Sequence, residues 1–126
     1  NSLSNISVSG TITCNEVLAQ SDRNLKQNIK DLNPEGCLET IDDIRPRCYR
    51  FKTDPTKLRY GVVAQELKTV IPHLVNRNDT GQLSVNYIEL IPVLIASIQQ
   101  LKHEVRDLKN DFFVMQNKVN ASSFSD

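Results

Sequence analysis

The sequence predicts an α+β fold in three parts: a short N-terminal β segment, a small mixed α/β domain and a long C-terminal helix. Apolar and polar residues alternate near the N terminus, short segments of both periods fill the middle, and an unbroken three–four spacing of apolar residues runs through the last third. A chain of 126 residues, 39% of them hydrophobic and 6% aromatic, suits one domain with a modest core.

Composition argues against several classes of function. The 15 basic residues balance the 15 acidic ones and are scattered along the chain, so we expect neither nucleic acid nor an anionic membrane as a partner. The 3 cysteines, Cys14, Cys37 and Cys48, form no C-x-x-C pair, which predicts reduced thiols without a disulfide framework or a metal site. These thiols favour a cytosolic assembly compartment, and we expect no cofactor. No apolar run is long enough to span a membrane and no leader opens the sequence, which could be the end of a longer protein.

The N-terminal pattern covers residues 6–14. Ile6, Val8 and Ile12 alternate with serines and threonines, which predicts a strand or a pair of strands interrupted at Gly10. A strand this short cannot bury its apolar face alone. Three copies of the chain could bury these faces against each other, or the segment is an ordinary edge strand or frayed terminus; the residues leave both open.

The first predicted helix lies between two prolines. Pro34 is well placed to begin it and Pro46 to stop it. Its apolar face would carry Leu38, Ile41 and Ile44. We therefore expect this helix to pack on the domain core.

A hairpin follows. Residues 48–52 and 58–63 predict its two strands, with the turn at residues 54–56. Gly61, inside the second strand, predicts a bulge or a close approach of another part of the chain.

A second helix is predicted over residues 64–70, closed by Pro72, with Leu67 and Val70 inward. A polar loop over residues 76–81 and a strand over 82–85 follow. The carboxylate of Glu66, and Gln65 beside it, are interpreted as structural, because a carboxylate near a helix start is favoured by the helix dipole. His73 and His103 have no partner at ligand or triad spacing, so neither is given a role.

The last third contains a heptad repeat, which predicts a coiled-coil helix over about residues 87–119. Its a positions are Ile91, Ile98, Val105, Phe112 and Val119, and its d positions are Leu94, Leu101, Leu108 and Met115. Asn86 and Glu89 resemble a capping box, and Pro92 predicts a kink or break. Glu104 at g and Lys109 at the next e favour parallel strands. For the stretch from Ile91 to Ile98, which Ile95 widens, we expect the stripe to pack on its own domain instead.

A candidate nucleophile–base pair lies between the N-terminal segment and the domain. Ser21 and Lys26 are five residues apart in Ser21-Asp22-Arg23-Asn24-Leu25-Lys26-Gln27-Asn28-Ile29, and serine with lysine is the two-member variant of the serine triad. The alternative is that Ser21 caps a short helix. Five residues on an ideal helix lie about 140° apart, so a reactive geometry requires Ser21 to precede the helix or the segment to be non-helical.

Three blocks together resemble a known family. They are the stretch Ser21-Asp22-x-x-Leu25-Lys26-x-Asn28-Ile29, the stretch Tyr60-Gly61-Val62-Val63-Ala64-Gln65-Glu66-Leu67, and Leu83-Ser84-Val85-Asn86-Tyr87 leading into Ile88-Glu89-Leu90-Ile91. In this order they resemble the self-cleaving intramolecular chaperone domains of phage tailspikes, tail fibres and neck appendages, over Ser21 to about Leu108.

The resemblance implies a homotrimer that helps an upstream fibre to fold and then cuts itself away between Gln20 and Ser21. Residues 1–20 would be the end of the fibre and residues 21–126 the chaperone domain, with a parallel trimeric coiled coil. The a and d residues by themselves lean toward two strands. Ser21 would be the nucleophile and Lys26 the general base, with Asp22 and Asn28 as candidate supporting residues. Assembly would take place in the host cell cytoplasm, and the upstream fibre would enter the virion.

The proposed base must be neutral to act. A lysine in water has a pKa of about 10.4 and is protonated at neutral pH, whereas burial favours the neutral form. If trimer packing buries Lys26, cleavage would report on assembly. The alternative is an inert trimerisation module. A weaker one is a relative of the eukaryotic proteins in which this domain releases a membrane-tethered transcription factor, although no segment resembles a DNA-binding or membrane region.

Overall fold

The computed structural model describes residues 4–123, which divide into two units, one up to residue 30 and one from residue 31 onward. In the first unit, the described residues form no strand; a short 3-10 turn, Arg23–Leu25, is its regular element. The strand predicted over residues 6–14 is therefore wrong for the single chain. A strand needs a neighbour to pair with, and no second strand is present in this part of the unit.

Helix α1, Pro34–Asp43, opens the second unit as predicted. Pro34 occupies the first turn, and the Asn33 side chain accepts a hydrogen bond from the Gly36 amide at 3.4 Å. The residues that α1 and its C-terminal end turn toward the core are Cys37, Ile41 and Ile44. The sequence pattern predicted Leu38 on this face, whereas the structure packs Cys37 against the core.

Strands β1, Arg47–Phe51, and β2, Asp54–Gly61, form an antiparallel hairpin, with Cys48 opposite Tyr60. The predicted turn at residues 54–56 is wrong, because these residues already lie in β2 and the chain reverses at residues 52–53. The register shifts between Tyr49, opposite Arg59, and Phe51, opposite Asp54, so the extra residues of this irregularity lie in β2.

Helix α2, Ala64–Lys68, leads into a 3-10 turn, Pro72–Leu74, and a second hairpin of β3, Val75–Arg77, and β4, Leu83–Val85. The loop between these strands closes on Asn78, whose side-chain oxygen accepts from the amides of Thr80 and Gln82 at 3.1 and 2.9 Å. Strand β3 was not predicted, because the polar residues 76 and 77 were assigned to the loop that follows it.

The core joins α1, α2, the second hairpin and the start of the last helix. Its buried apolar residues are Leu67, Ile71, Leu74, Leu90 and Val93. Leu67 and Leu74 are 2% and 1% exposed, which makes α2 and the following turn the centre of the unit.

Helix α3, Leu90–Ser123, is one continuous helix of 34 residues, about 51 Å at 1.5 Å per residue. The predicted break at Pro92 is wrong. The helix begins at Leu90, so Pro92 falls in the first turn, where its missing amide leaves no intrahelical bond unmade. Asn86 accepts from the Glu89 amide at 3.2 Å, but the Glu89 side chain bonds the Asn86 side chain, so only half of the capping box forms.

The face that α3 packs on its own domain differs from the heptad stripe. Its buried residues are Leu90, Val93, Ala96 and Ser97. At 100° per residue, these lie about 120° around the helix from the stripe residues Ile91, Leu94 and Ile98, which are exposed. The expectation that this part of the stripe packs on the domain is therefore wrong. No helix among residues 4–123 has both the length and the apolar character of a membrane span.

Candidate active site

Ser21 and Lys26 are in direct contact. The Lys26 Nζ donates a hydrogen bond to the Ser21 Oγ at 2.7 Å. The contact lies within the first unit, and both side chains are exposed in the single chain. The structure therefore brings together the two residues that the sequence predicted as nucleophile and base.

A single 3-10 turn makes the contact possible. Asp22 is the N-cap, with its side chain accepting from the Asn24 amide at 2.9 Å, and Ser21 precedes the turn. Lys26 follows the turn in an extended conformation, φ −118 and ψ 154. The interpretation of Ser21 as the cap is wrong, because Asp22 caps the turn. The Ser21 hydroxyl instead accepts the hydrogen bond from Lys26.

Asn28 has a different feature from Asp22. Its φ is +56, in the left-handed region that asparagine tolerates better than most residues. Of the two candidate supporting residues, Asp22 thus acts on the turn between the dyad residues, and Asn28 sets the backbone direction after it.

The chemistry available to this pair is acyl transfer. A hydroxyl beside a neutral amine can lose its proton to that amine as it attacks a carbonyl, and the protonated amine can then donate to a leaving nitrogen. Gln20 supplies the neighbouring carbonyl. Among the described residues, no group of three or more His, Cys, Asp or Glu side chains is placed to hold a metal ion.

The second and third sequence blocks meet at Tyr87. Its hydroxyl accepts from the Val62 amide at 3.0 Å. A Cβ atom at Gly61 would lie 2.5 Å from that hydroxyl and 3.2 Å from the Tyr49 ring, so a larger residue there would force these side chains to shift. This confirms the predicted close approach at Gly61. The role of Tyr87 was missed, because a contact across 25 residues leaves no local pattern.

Glu66 forms an ion pair, which agrees with its interpretation as a structural residue. Arg47 donates to its carboxylate through Nε at 3.0 Å and Nη2 at 2.6 Å, and Arg45 lies 3.8 Å away. The hydrogen bond from Arg47 lowers the pKa of Glu66, and Glu66 in turn raises the pKa of Arg47. The pair fixes β1 to α2.

The heptad stripe of α3 is the second candidate functional surface. Exposure of its central residues ranges from 42% at Val105 to 68% at Leu108 and Phe112. An apolar stripe of this length on a helix surface is typical of an interface with other chains.

Comparison with known proteins identifies relatives of this chain. Residues 21–76 match the model of a peptidase family described as chaperone of endosialidase. Long tail fiber protein Gp37 of Enterobacteria phage Ox2 is 28% identical over 106 residues, which are 78% of this chain and 42% of that protein. The Gp37 protein of Enterobacteria phage M1 is 28% identical over 107 residues, 79% of this chain and 42% of that protein.

A third relative is the Gp37 long tail fiber protein of Salmonella phage S16, which is 30% identical over 108 residues, 79% of this chain and 14% of that protein. The chain thus spans about two fifths of the first two relatives, at 42% each. The family match over residues 21–76 and the phage fibre relatives agree with the resemblance found in the three sequence blocks and support an intramolecular chaperone domain of phage fibres.

Proposed function

We propose that this chain is a C-terminal intramolecular chaperone that trimerises, helps a phage fibre or appendage to fold, and then releases itself by cutting between Gln20 and Ser21. The observation that carries the proposal is the 2.7 Å contact between Lys26 Nζ and Ser21 Oγ. It lies at residue 21, where the match to the peptidase family begins.

The reaction moves one acyl group. Ser21 Oγ bonds to the Gln20 carbonyl carbon while the bond from that carbon to the Ser21 nitrogen breaks. Lys26 takes the hydroxyl proton and passes it to the leaving nitrogen, which becomes a free α-amine. Water then hydrolyses the ester, giving a carboxylate on Gln20 and restoring the Ser21 hydroxyl.

Assembly would activate the base. In the single chain Lys26 is exposed, and its Nζ donates a hydrogen bond to Ser21 Oγ. Removing water from this side chain favours its neutral form. We propose that trimer packing supplies this desolvation, so that only an assembled chaperone cuts.

The exposed stripe of α3 supports trimerisation through a parallel coiled coil. The stripe continues from the first turns of the helix to Val119, and the domain covers a different face of the helix. Glu104 and Lys109 then face each other across neighbouring parallel strands, a contact that sets orientation and contributes about 0–1 kcal/mol.

The relatives support a fibre as the upstream partner, since all three are named long tail fiber proteins. We propose that residues 1–20 are the end of such a fibre and that assembly takes place in the host cell cytoplasm. The alternating apolar residues Ile6, Val8 and Ile12, exposed in the single chain, could then be covered by the same residues of two other copies.

The test is the mass of the purified protein after denaturation. Wild type should give a fragment beginning at Ser21, and Ser21→Ala should stay whole. Lys26→Arg should also stay whole, because an arginine does not give up its proton near neutral pH and so cannot act as the base. Ser9→Ala and Lys30→Arg are matched controls in the same unit and should cleave normally.

Two outcomes would overturn the mechanism: a fragment beginning at residue 21 from Ser21→Ala, or normal cleavage by Lys26→Arg. A wild-type trimer that never cleaves would favour the alternative, an inert trimerisation module. The stripe of α3 supports that module independently of the dyad.

A further inference from the structure

We infer that Asp22 is a positioning residue: it caps the turn that holds Lys26 against Ser21 and so sets the rate of self-cleavage without touching the reacting atoms. The effect on rate rests on the proposed function. The effect on the contact between the two side chains does not.

The five-residue separation of Ser21 and Lys26 does not suit a regular helix. Ser21 and Lys26 would lie about 140° apart on a regular α-helix, where their side chains could not meet. The structure places both outside the helical residues Arg23–Leu25, with Asp22 and Lys26 in extended conformations on either side. The short turn thus brings the Lys26 side chain into contact with Ser21.

Asp22 provides two of the three hydrogen bonds that close this turn. Its carbonyl oxygen accepts from the Leu25 amide at 3.0 Å, and its side chain accepts from the Asn24 amide at 2.9 Å. The third bond joins the Lys26 amide to the Arg23 carbonyl at 3.1 Å. A single helical turn is costly to form, so each of these bonds matters.

Burial of side chains contributes little to the stability of this turn. None of its residues is buried, and Leu25 is 66% exposed. The side-chain cap is therefore a contribution that a substitution can remove without changing either dyad residue or a backbone donor.

The kinetic test compares three variants at Asp22. Asp22→Ala removes the cap and should slow cleavage about fivefold, the factor expected for a typical lost N-cap. Asp22→Asn and Asp22→Ser can still cap and should stay within about twofold of wild type. Glu16→Ala removes an exposed acidic residue of the same unit and should have no effect. Asp22→Asn should also keep the wild-type pH dependence, because the cap needs an acceptor oxygen and not a charge.

Normal cleavage by Asp22→Ala would overturn the inference. So would an Asp22→Asn variant as slow as Asp22→Ala, because that result would mean that the negative charge acts on the reaction. Cleavage by Ser21→Ala would instead overturn the proposed function and leave the positioning role to be judged by structure alone.

That structural measurement is a nuclear Overhauser effect between the Ser21 β protons and the Lys26 ε protons. It should be present in wild type, weak or absent in Asp22→Ala, and restored in Asp22→Asn. An equal signal in wild type and Asp22→Ala would overturn the inference, and this holds for a protein that never cleaves.

Discussion

The two regions that carry the proposed function are held together in different ways. The reactive loop, residues 21–26, has no buried side chain and is closed by hydrogen bonds between residues at most 5 positions apart. The C-terminal unit is held by contacts between distant residues, such as Arg47 with Glu66, 19 positions apart, and Val62 with Tyr87, 25 apart. A substitution in residues 21–26 should therefore change the proposed chemistry without unfolding the chain. A substitution in the core of the C-terminal unit should instead destabilise that unit as a whole.

The largest effect is expected in the core. Leu67→Ala should lower the free energy of unfolding by about 2–5 kcal/mol, because it leaves a cavity at a residue that is 2% exposed. Leu25→Ala, the matched change in the reactive loop at a residue 66% exposed, should stay within about 0.5 kcal/mol. Urea unfolding in a Ser21→Ala background, at fixed protein concentration, measures both. Equal effects would remove the distinction between the regions.

The next largest effect is expected at Gly61, where the second and third sequence blocks meet. Gly61→Ala should destabilise the C-terminal unit by about 1–3 kcal/mol, because the new Cβ would lie 2.5 Å from the Tyr87 hydroxyl. Tyr87→Phe removes that hydroxyl, so Gly61→Ala should be less harmful in this background.

A double-mutant cycle measured by urea unfolding would quantify the coupling. Additive effects would show that the hydroxyl is not what Gly61 accommodates.

The smallest effect is expected from the ion pair. The pKa of Glu66 is lowered in the folded protein from its ordinary 4.5, chiefly by the hydrogen bond from Arg47. A lowered folded pKa contributes stability above pH 4.5 that is lost as the pH falls through the folded value. Wild type should therefore lose more stability on acidification below this pH than Glu66→Gln does. Thermal unfolding across the acid range measures it, with Glu39→Gln on α1 as the control; identical wild-type and Glu66→Gln profiles would contradict the pair's contribution.

The elements set by local signals could be predicted from the sequence. Pro34 predicted the start of α1, and Gly61 predicted a bulge or a close approach. The contact between Ser21 and Lys26 was also predicted, on the family resemblance of the surrounding block more than on their spacing. The cap was placed on Ser21 and not Asp22, because both residue types cap helices about equally well and only the folded turn separates them.

The features that depend on distant contacts could not be predicted. Tyr87 reaches Val62 across 25 residues, which no periodicity reveals. The face that α3 buries includes the small residues Ala96 and Ser97, so the larger side chains of the stripe dominated the pattern. Burial of Ala96 and Ser97 follows from the close approach of the domain and not from their own hydrophobicity.

The most direct test of the central claim, that assembly controls cleavage, compares Leu101→Asp with wild type across a dilution series. Light scattering measures trimer content, and denatured mass measures the cleaved fraction. Leu101→Asp would bring like charges together in the coiled-coil seam, so it should yield monomers that do not cleave although Ser21 and Lys26 are unchanged. Asn110→Asp adds the same charge outside the seam and should trimerise and cleave normally. A verified Leu101→Asp monomer that cleaves as fast as the wild-type trimer would contradict the account.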